Sequence, residues 1–412
     1  MNNIKKAHKT TCSAGKSIET ETLSYESSAT ASRRKFIKML GAGLAVLSIP
    51  MGSTVALAAQ HSARPKIVWV VLRGALDSLH TIIPTADSNY KQLRPKLSSS
   101  FKAPLLPLDK GFALHPALGN LHQWYQEKSL IPVVAVSSGY QRRSHFDGQD
   151  FLETGLTDID HDNGWLARAI DIKNKRALAV SRATPISLRS SERVNTWYPS
   201  KLKSADDDIY QALAKLYQQD ELLQNTLAKG LAVKGMVMDE ATEKRGKQGK
   251  FIDLSKACAK LMRGAQGADC AMLELGGWDT HNNQASRLDK KLTELDNGLA
   301  QLRQGLANDW QNTVVIIATE FGRTARENGT SGTDHGTGSA LFLAGGALKG
   351  GKVQGDWPGL AEAELFEKRD LRPTTNSFSW IANVLAQHWQ FNKQELAQVF
   401  PQVKAYNNSL IK

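Results

Sequence analysis

Carboxylates and imidazoles recur side by side at a few points of this chain, at spacings that suit metal chemistry. Asp279 and His281 are separated by one residue in Gly276-Gly277-Trp278-Asp279-Thr280-His281, and Asp334 and His335 are adjacent in Gly332-Thr333-Asp334-His335-Gly336. His145 sits in Arg142-Arg143-Ser144-His145-Phe146-Asp147, and Asp77 follows Arg73 by four residues. Asp-x-His and Asp-His can each aim an oxygen and an imidazole nitrogen at one divalent cation. Zn, Mn or Fe accepts such mixed ligation, Ca is a further candidate, and the strings hold no thiolate. Each string alone also has a plainer reading. An Asp after a strand caps a helix, and a solitary His is a hydrogen-bonded structural residue. Residue types alone leave both readings open.

Two further groups bear on catalysis. Ser144, beside His145 and behind Arg142 and Arg143, has a hydroxyl that a metal could activate while the arginines hold an anion. Its other reading is a helix N-cap. Glu320 and Arg323, in Glu320-Phe321-Gly322-Arg323-Thr324, either rim a site or form an ion pair that holds the loop.

These strings need a scaffold, and the apolar runs between them supply one. Residues 66–72, 131–136, 270–275 and 313–319 are short and continuously apolar, which predicts strands buried on both faces of a largely parallel sheet. Leu288, Leu292, Leu295, Leu299 and Leu302 recur at helical spacing within 283–308, so 270–319 reads as a βαβ crossover. A further strand is expected at 339–344 with a return hairpin at 350–353, and a closing helix at 376–389. Residues 200–250 read as a polar helical insertion ending in a basic run at 243–250. The fold class is therefore α/β. Most of the polar strings begin where a strand ends, the edge at which open α/β sheets place ligands.

The beginning of the chain carries a different signal. Ser32-Arg33-Arg34-Lys35-Phe36-Ile37-Lys38 resembles the S-R-R-x-F-L-K twin-arginine export signal. Residues 39–57 are apolar but thinned by glycine, serine and Pro50, unlike the firmly apolar stretch of about 20 residues that a membrane span needs. Ala56-Leu57-Ala58-Ala59 has the small residues of a cleavage site. The expectation is a signal segment over 1–59 and one domain over 60–412, delivered to the periplasm by the twin-arginine translocase with no stable membrane span. Residues 1–59 hold eight Lys or Arg and three Glu, so 60–412 keep +7 of the chain's formal +12. That charge is spread without a block and no nucleic-acid motif accompanies it, which argues against a nucleic-acid partner and for anionic substrates, small or polymeric. Cys258 and Cys270 are expected as buried thiols, with a disulfide between them as the alternative.

Taken together, the strings L-R-G-A-L-D-S-L (72–79), R-R-S-H-F-D-G-Q-D (142–150), G-G-W-D-T-H (276–281), E-F-G-R-T (320–324), G-T-D-H-G-T-G-S (332–339) and G-D-W-P-G-L (355–360) resemble a bacterial twin-arginine-exported family. It is known as domain of unknown function 1501 and is grouped with the alkaline phosphatase and sulfatase superfamily. The resemblance covers about residues 64–390. It implies a doubly wound, mostly parallel, alkaline-phosphatase-like core, usually with two divalent metals at the carboxyl ends of the strands. On that basis Asp334-His335 matches the superfamily's Asp-His pair. Asp279 and His281 match an Asp and a His on a neighbouring strand, though at Asp-x-His rather than Asp-x-x-x-His spacing. Asp77 follows the first strand, as that superfamily's first Asp ligand does, although late. No Cys-x-Pro-x-Arg sulfatase signature is present, and His388 falls in a helix where packing is its expected role. The expected function is a metal-dependent hydrolase of a phosphate or sulfate ester. Its metal ligands would come from Asp77, His145, Asp279, His281, Asp334 and His335, with Ser144 as nucleophile. Arg73, Arg142 or Arg323 would clamp the anion, and Glu320 and Arg323 would stand at the rim. The alternative is a non-catalytic periplasmic binding or assembly protein that keeps the fold.

Overall fold

The computed structural model describes residues 64–199, 206–237 and 250–412. The arginine motif at 32–38, the apolar stretch at 39–57, the cleavage site at 56–59, and residues 200–205 and 238–249 of the expected insertion lie outside the described residues.

Eleven strands are described: β1 (Lys66–Arg73), β2 (Ile82–Pro84), β3 (Leu106–Pro107), β4 (Phe112–Leu114), β5 (Leu130–Ser137), β6 (Ala177–Ala179), β7 (Val194–Thr196), β8 (Cys270–Gly276), β9 (Thr313–Thr319), β10 (Ser339–Ala344) and β11 (Thr375–Asn376). Eight of them form one sheet in the order β11-β5-β10-β9-β1-β8-β6-β7, and β2, β4 and β3 form a small antiparallel sheet. The pairs β1–β8, β1–β9, β6–β8, β6–β7 and β5–β11 are parallel, whereas β10 is antiparallel to both its neighbours.

The helices are α1 (Asn89–Leu93), α2 (Gly119–Gln126), α3 (His145–Thr154), α4 (Trp165–Ile172), α5 (Asp207–Leu216), α6 (Glu221–Val237), α7 (Phe251–Met262), α8 (Gln284–Leu306), α9 (Ser377–His388) and α10 (Lys393–Val399). No helix among the described residues is long and apolar enough to cross a membrane.

β1 is apolar along its length because it feeds two cores. Val68, Val70 and Leu72 pack under α7 and α8, while Ile67, Trp69 and Val71 pack under α4, α9 and α10. Alternation along a strand sends successive side chains to opposite faces, so a sheet covered by helices on both sides demands a continuous apolar run. β8 and β9 obey the same rule, and α8 carries the chain from one to the other across β1. This is a mostly parallel α/β fold covered by helices on both faces.

Three local expectations change. Residues 350–354 do not fold back on β10. Gly350, Gly351 and Gln354 instead donate to the carbonyls of Lys128, Leu130 and Pro132. The expected insertion contains two helices with a break at 217–220, and α5 buries none of its residues. Cys258 and Cys270 are both free and buried.

Register sets the site. Arg73 lies opposite Gly276 and Leu72 opposite Thr319, so β1, β8 and β9 end level. Ser339, the first residue of β10, lies beside Val136 near the end of β5. Because β10 runs the other way, the loop entering it arrives at the edge where its neighbours finish.

Candidate metal centre

Asp279 is delivered by a tight turn after β8. Gly277 takes φ +93°, and Trp278 buries its ring while its indole N–H donates to the Leu275 carbonyl at 2.7 Å. The turn presses against the end of β1. A Cβ on Gly74 would stand 2.6 Å from the Asp279 nitrogen, and Gly74 itself has φ +119°, so only glycine fits.

His281 Nε2 lies 3.0 Å from Asp279 Oδ1, His335 Nε2 3.3 Å and His145 Nε2 3.5 Å. His281 Nε2 and His335 Nε2 are 3.0 Å apart. Each ring is held from behind at Nδ1 by an oxygen: Glu320 Oε1 at 2.8 Å for His145, Asp334 Oδ1 at 3.0 Å for His281, and the Arg143 carbonyl at 2.9 Å for His335. Carbonyl and ionised carboxylate oxygens only accept, so these partners assign the proton of each neutral ring to Nδ1 and leave a lone pair on Nε2. The Nε2 atoms of His145 and His335 and the Asp279 carboxylate then lie within 4.8 Å of one another, with His281 Nε2 against His335 and Asp279. The His145 Nε2 atom is buried and has no hydrogen-bond partner among the described residues. Such a set of acceptors is unfavourable alone and favourable around a cation. A His-Asp-His donor set backed by acceptors at Nδ1 fits a divalent transition metal.

The titration behaviour follows the contacts. Hydrogen bonding to Glu320 raises the His145 pKa against the opposing effect of burial. Burial lowers that of His335, an effect the Arg143 carbonyl only partly offsets. Burial works to raise the Asp279 pKa, but the Arg323 guanidinium overcomes it and holds the carboxyl at about 2. Glu320 and Asp334 are likewise lowered against burial, Glu320 chiefly by its hydrogen bond with His145, and Asp334 by those with Asn328 and His281.

The structure thus brings together three of the six expected ligands, His145, Asp279 and His335, with donor atoms all within 4.8 Å of one another, and sets His281 against the last two. Asp334 touches the cluster through His281 and also accepts from Asn328 at 3.2 Å, which places it behind a ligand. Asp77 is elsewhere. It caps a 3₁₀ turn at Ser78–His80 through the Leu79 N–H and accepts from Arg94 Nη1 at 2.6 Å and from Gln284, with its side chain 1% exposed. Those partners use its oxygens, so it has none to offer a metal.

The expected clamps also separate. Arg323 is fully buried, not at a rim. Its guanidinium donates to the carbonyls of Ala75, Thr333, Gly74 and Trp278 and to Asp279, tying three loops to the ligand. Glu320 is equally buried and accepts from the Gly74 N–H and Gln149. Arg73 is spent on Glu153, Glu274 and Gln149. Arg142 is exposed. Ser144 stands at the N-cap position of α3, but its side chain makes no capping hydrogen bond. His388 Nε2 donates to the Lys66 carbonyl at 3.0 Å within the core, as its packing role requires.

Residue types did not foretell one participant. Arg143, with φ +60°, supplies the carbonyl that orients His335 while its guanidinium grips Asp370 at 2.8 Å and Glu367 at 2.5 Å. Left-handed backbone at a bulky residue next to a site marks strain held by its surroundings. A backbone carbonyl that orients a ring leaves no trace in side-chain chemistry, so only proximity to His145 hinted at it.

The family described as "Protein of unknown function (DUF1501)" matches residues 64–400. No match was found among curated proteins. Solved structures with similarity include a Bacteroides thetaiotaomicron protein of glycosaminoglycan metabolism (11% identity, covering 85% of this chain and 77% of that one, TM-score 0.41). The alkaline phosphatase of the Antarctic bacterium TAB5 matches at 10% identity (82% and 99%, TM-score 0.36). The C-terminal periplasmic domain of Escherichia coli EcEptC, in complex with zinc, matches at 10% (68% and 72%, TM-score 0.34). Scores this low carry no assignment of activity, which rests on the site itself.

Proposed function

We propose that this chain, which belongs to the DUF1501 family, is a metal-dependent hydrolase of an anionic ester, phosphate or sulfate. The observation that carries the reading is the convergence of His145, His281 and His335 Nε2 on Asp279 Oδ1 within 3.5 Å, each ring backed by an oxygen. Imidazole nitrogens beside one carboxylate suit Zn, Mn or Fe better than Ca, which prefers an all-oxygen shell. When bound, the cation supplies Lewis-acid polarisation of a phosphoryl or sulfuryl oxygen.

The chain's own groups divide the remaining work. Arg323 fixes Asp279, Glu320 fixes His145, Asp334 fixes His281 and the Arg143 carbonyl fixes His335. Exposed Arg142 is the guanidinium free to meet an incoming anion, since Arg73 and Arg323 are engaged. Ser144, adjacent to His145 and unspent as a cap, is the proposed nucleophile.

The test is metal analysis of the full chain purified after folded export, with turnover of 4-nitrophenyl phosphate and 4-nitrophenyl sulfate. Stoichiometric metal is expected in the parent, with loss in both Asp279→Ala and His335→Ala. A folded, metal-free parent overturns the reading in favour of a non-catalytic binding protein. Ser144→Ala should abolish turnover and keep the metal. Retained turnover would pass the nucleophile's role to water. Delivery to the periplasm by the twin-arginine translocase is part of the same proposal, so changing Arg33 and Arg34 together to Lys should retain the protein in the cytoplasm. Normal periplasmic recovery of that variant refutes it.

A further inference from the structure

A cleft of about 740 Å³ opens beside the cluster, between α1, residues 324–328 and residues 360–369. Asp334 belongs to both, lining the cleft while its Oδ1 holds His281. The far wall is shared as well. Lys368 and Arg369 line the cleft, and Glu367 and Asp370 beside them hold Arg143, whose carbonyl orients His335.

The charges lining the cleft are unequally engaged. Glu327 accepts from the N–H groups of Lys96 and Leu97, and Glu362 lies 3.6 Å from Lys368. Arg369 uses Nη1 on Asp370 at 2.9 Å. The Arg326 side chain is exposed and makes no hydrogen bond or ion pair with any described residue. Its guanidinium is therefore the one cation of this wall not already neutralised among the described residues. Leu93, Leu360 and Leu365 add apolar surface, and Asn89 and Gln92 add amides. A lone phosphate or sulfate would leave most of this volume empty, whereas clefts of roughly 300–1,000 Å³ accept whole small molecules.

We infer that this cleft seats the alcohol part of the substrate and that Arg326 receives a second anionic group on it. The substrate class is then an ester with at least two phosphate or sulfate groups, one at the metal cluster and one at Arg326. This rests on the hydrolase reading above and deepens it. Planar guanidinium pairs bidentately with such oxyanions, which favours Arg326 as the anchor.

The experiment compares bis-anionic with mono-anionic sugar esters. Fructose 1,6-bisphosphate is set against fructose 6-phosphate, and a disulfated disaccharide against its monosulfated parent, by calorimetric titration of the full-length protein. The parent should bind at least one bis-anion about tenfold or more tighter than its mono-anion, and the pair that responds identifies phosphate or sulfate. Arg326→Ala should erase that preference and leave mono-anion binding unchanged. In chelator-treated protein, bis-anion binding should still weaken on Arg326→Ala. Equal binding of both members of each pair, or a preference indifferent to Arg326→Ala, overturns the inference. If the Arg326-dependent preference survives but no ester is turned over, the subsite stands and the hydrolase reading falls.

Discussion

Asp279 and Asp77 both follow a core strand of one sheet, yet they end in opposite circumstances. Asp279 keeps a half-exposed carboxylate ringed by three imidazole nitrogens and one guanidinium. Asp77 is sealed against Arg94, Gln284 and a backbone N–H. The first faces more acceptors than it has donors to satisfy, and the second has its needs met. A surplus of acceptors marks a place for a cation, whereas a satisfied buried carboxylate marks a joint in the scaffold.

Breaking the joint should have the largest effect. Asp77→Ala leaves the Arg94 charge buried without its carboxylate, which costs about 3–5 kcal/mol. Urea unfolding should record that loss, while metal per folded molecule stays at the parent level. Loss of metal without loss of stability would instead make Asp77 a ligand after all.

A smaller effect is expected from disturbing what stands behind the ligands. Glu320→Gln weakens the oxygen partner of His145, and outer-sphere changes of this kind cost about 10–100-fold in metal affinity. Competition with a chelator of known affinity measures it, and an unchanged affinity would remove His145 from the ligand set.

Acid should expose the joint's surroundings next. His80 lies near Asp77 with its ring centroid 5.4 Å from that of His115, and burial lowers the two to about 3 and about 4. Below pH 6.5 the unfolded chain takes up protons that these folded rings refuse. Stability therefore falls as pH drops from 6.5 toward 4, by up to about 1.4 kcal/mol per pH unit for each ring. Measured in chelator, the slope between pH 6.5 and 5 should flatten in His115→Asn. An identical slope would assign the acid sensitivity to other groups.

The smallest change is expected from Arg143→Ala, which keeps the carbonyl but releases the grip on Asp370 and Glu367. Metal affinity should fall toward the low end, about tenfold. No change would mean that the backbone of this turn holds itself.

Much of the scaffold was legible in advance. Continuous apolar runs predicted β1, β5, β8 and β9, and the leucine spacing predicted α8, because a sheet buried on both faces and a helix packed on one face write different periods into the chain. The return hairpin was misread, since Gly350 and Gly351 permit a turn without deciding which strand it follows. The strings around His145, Asp279, His281 and His335 were legible as chemistry. Their sorting was not, because Asp77 and Asp279 look alike until their neighbours are known.

The sequence by itself determined that His and carboxylate would gather near strand ends, because strand-forming runs and polar strings alternate along it. It also carried the motifs by which the family is recognised. Only the tertiary structure decided that the loop before β10 meets the loops after β1, β8 and β9, since that depends on β10 running antiparallel. It alone decided that Arg94 and Gln284 would saturate Asp77, and that Arg323 would turn inward to hold Asp279 rather than outward to meet a substrate. The physical reason is common to all three. A polar side chain's role is set by which donors and acceptors reach it, and those arrive from residues tens to hundreds of positions away.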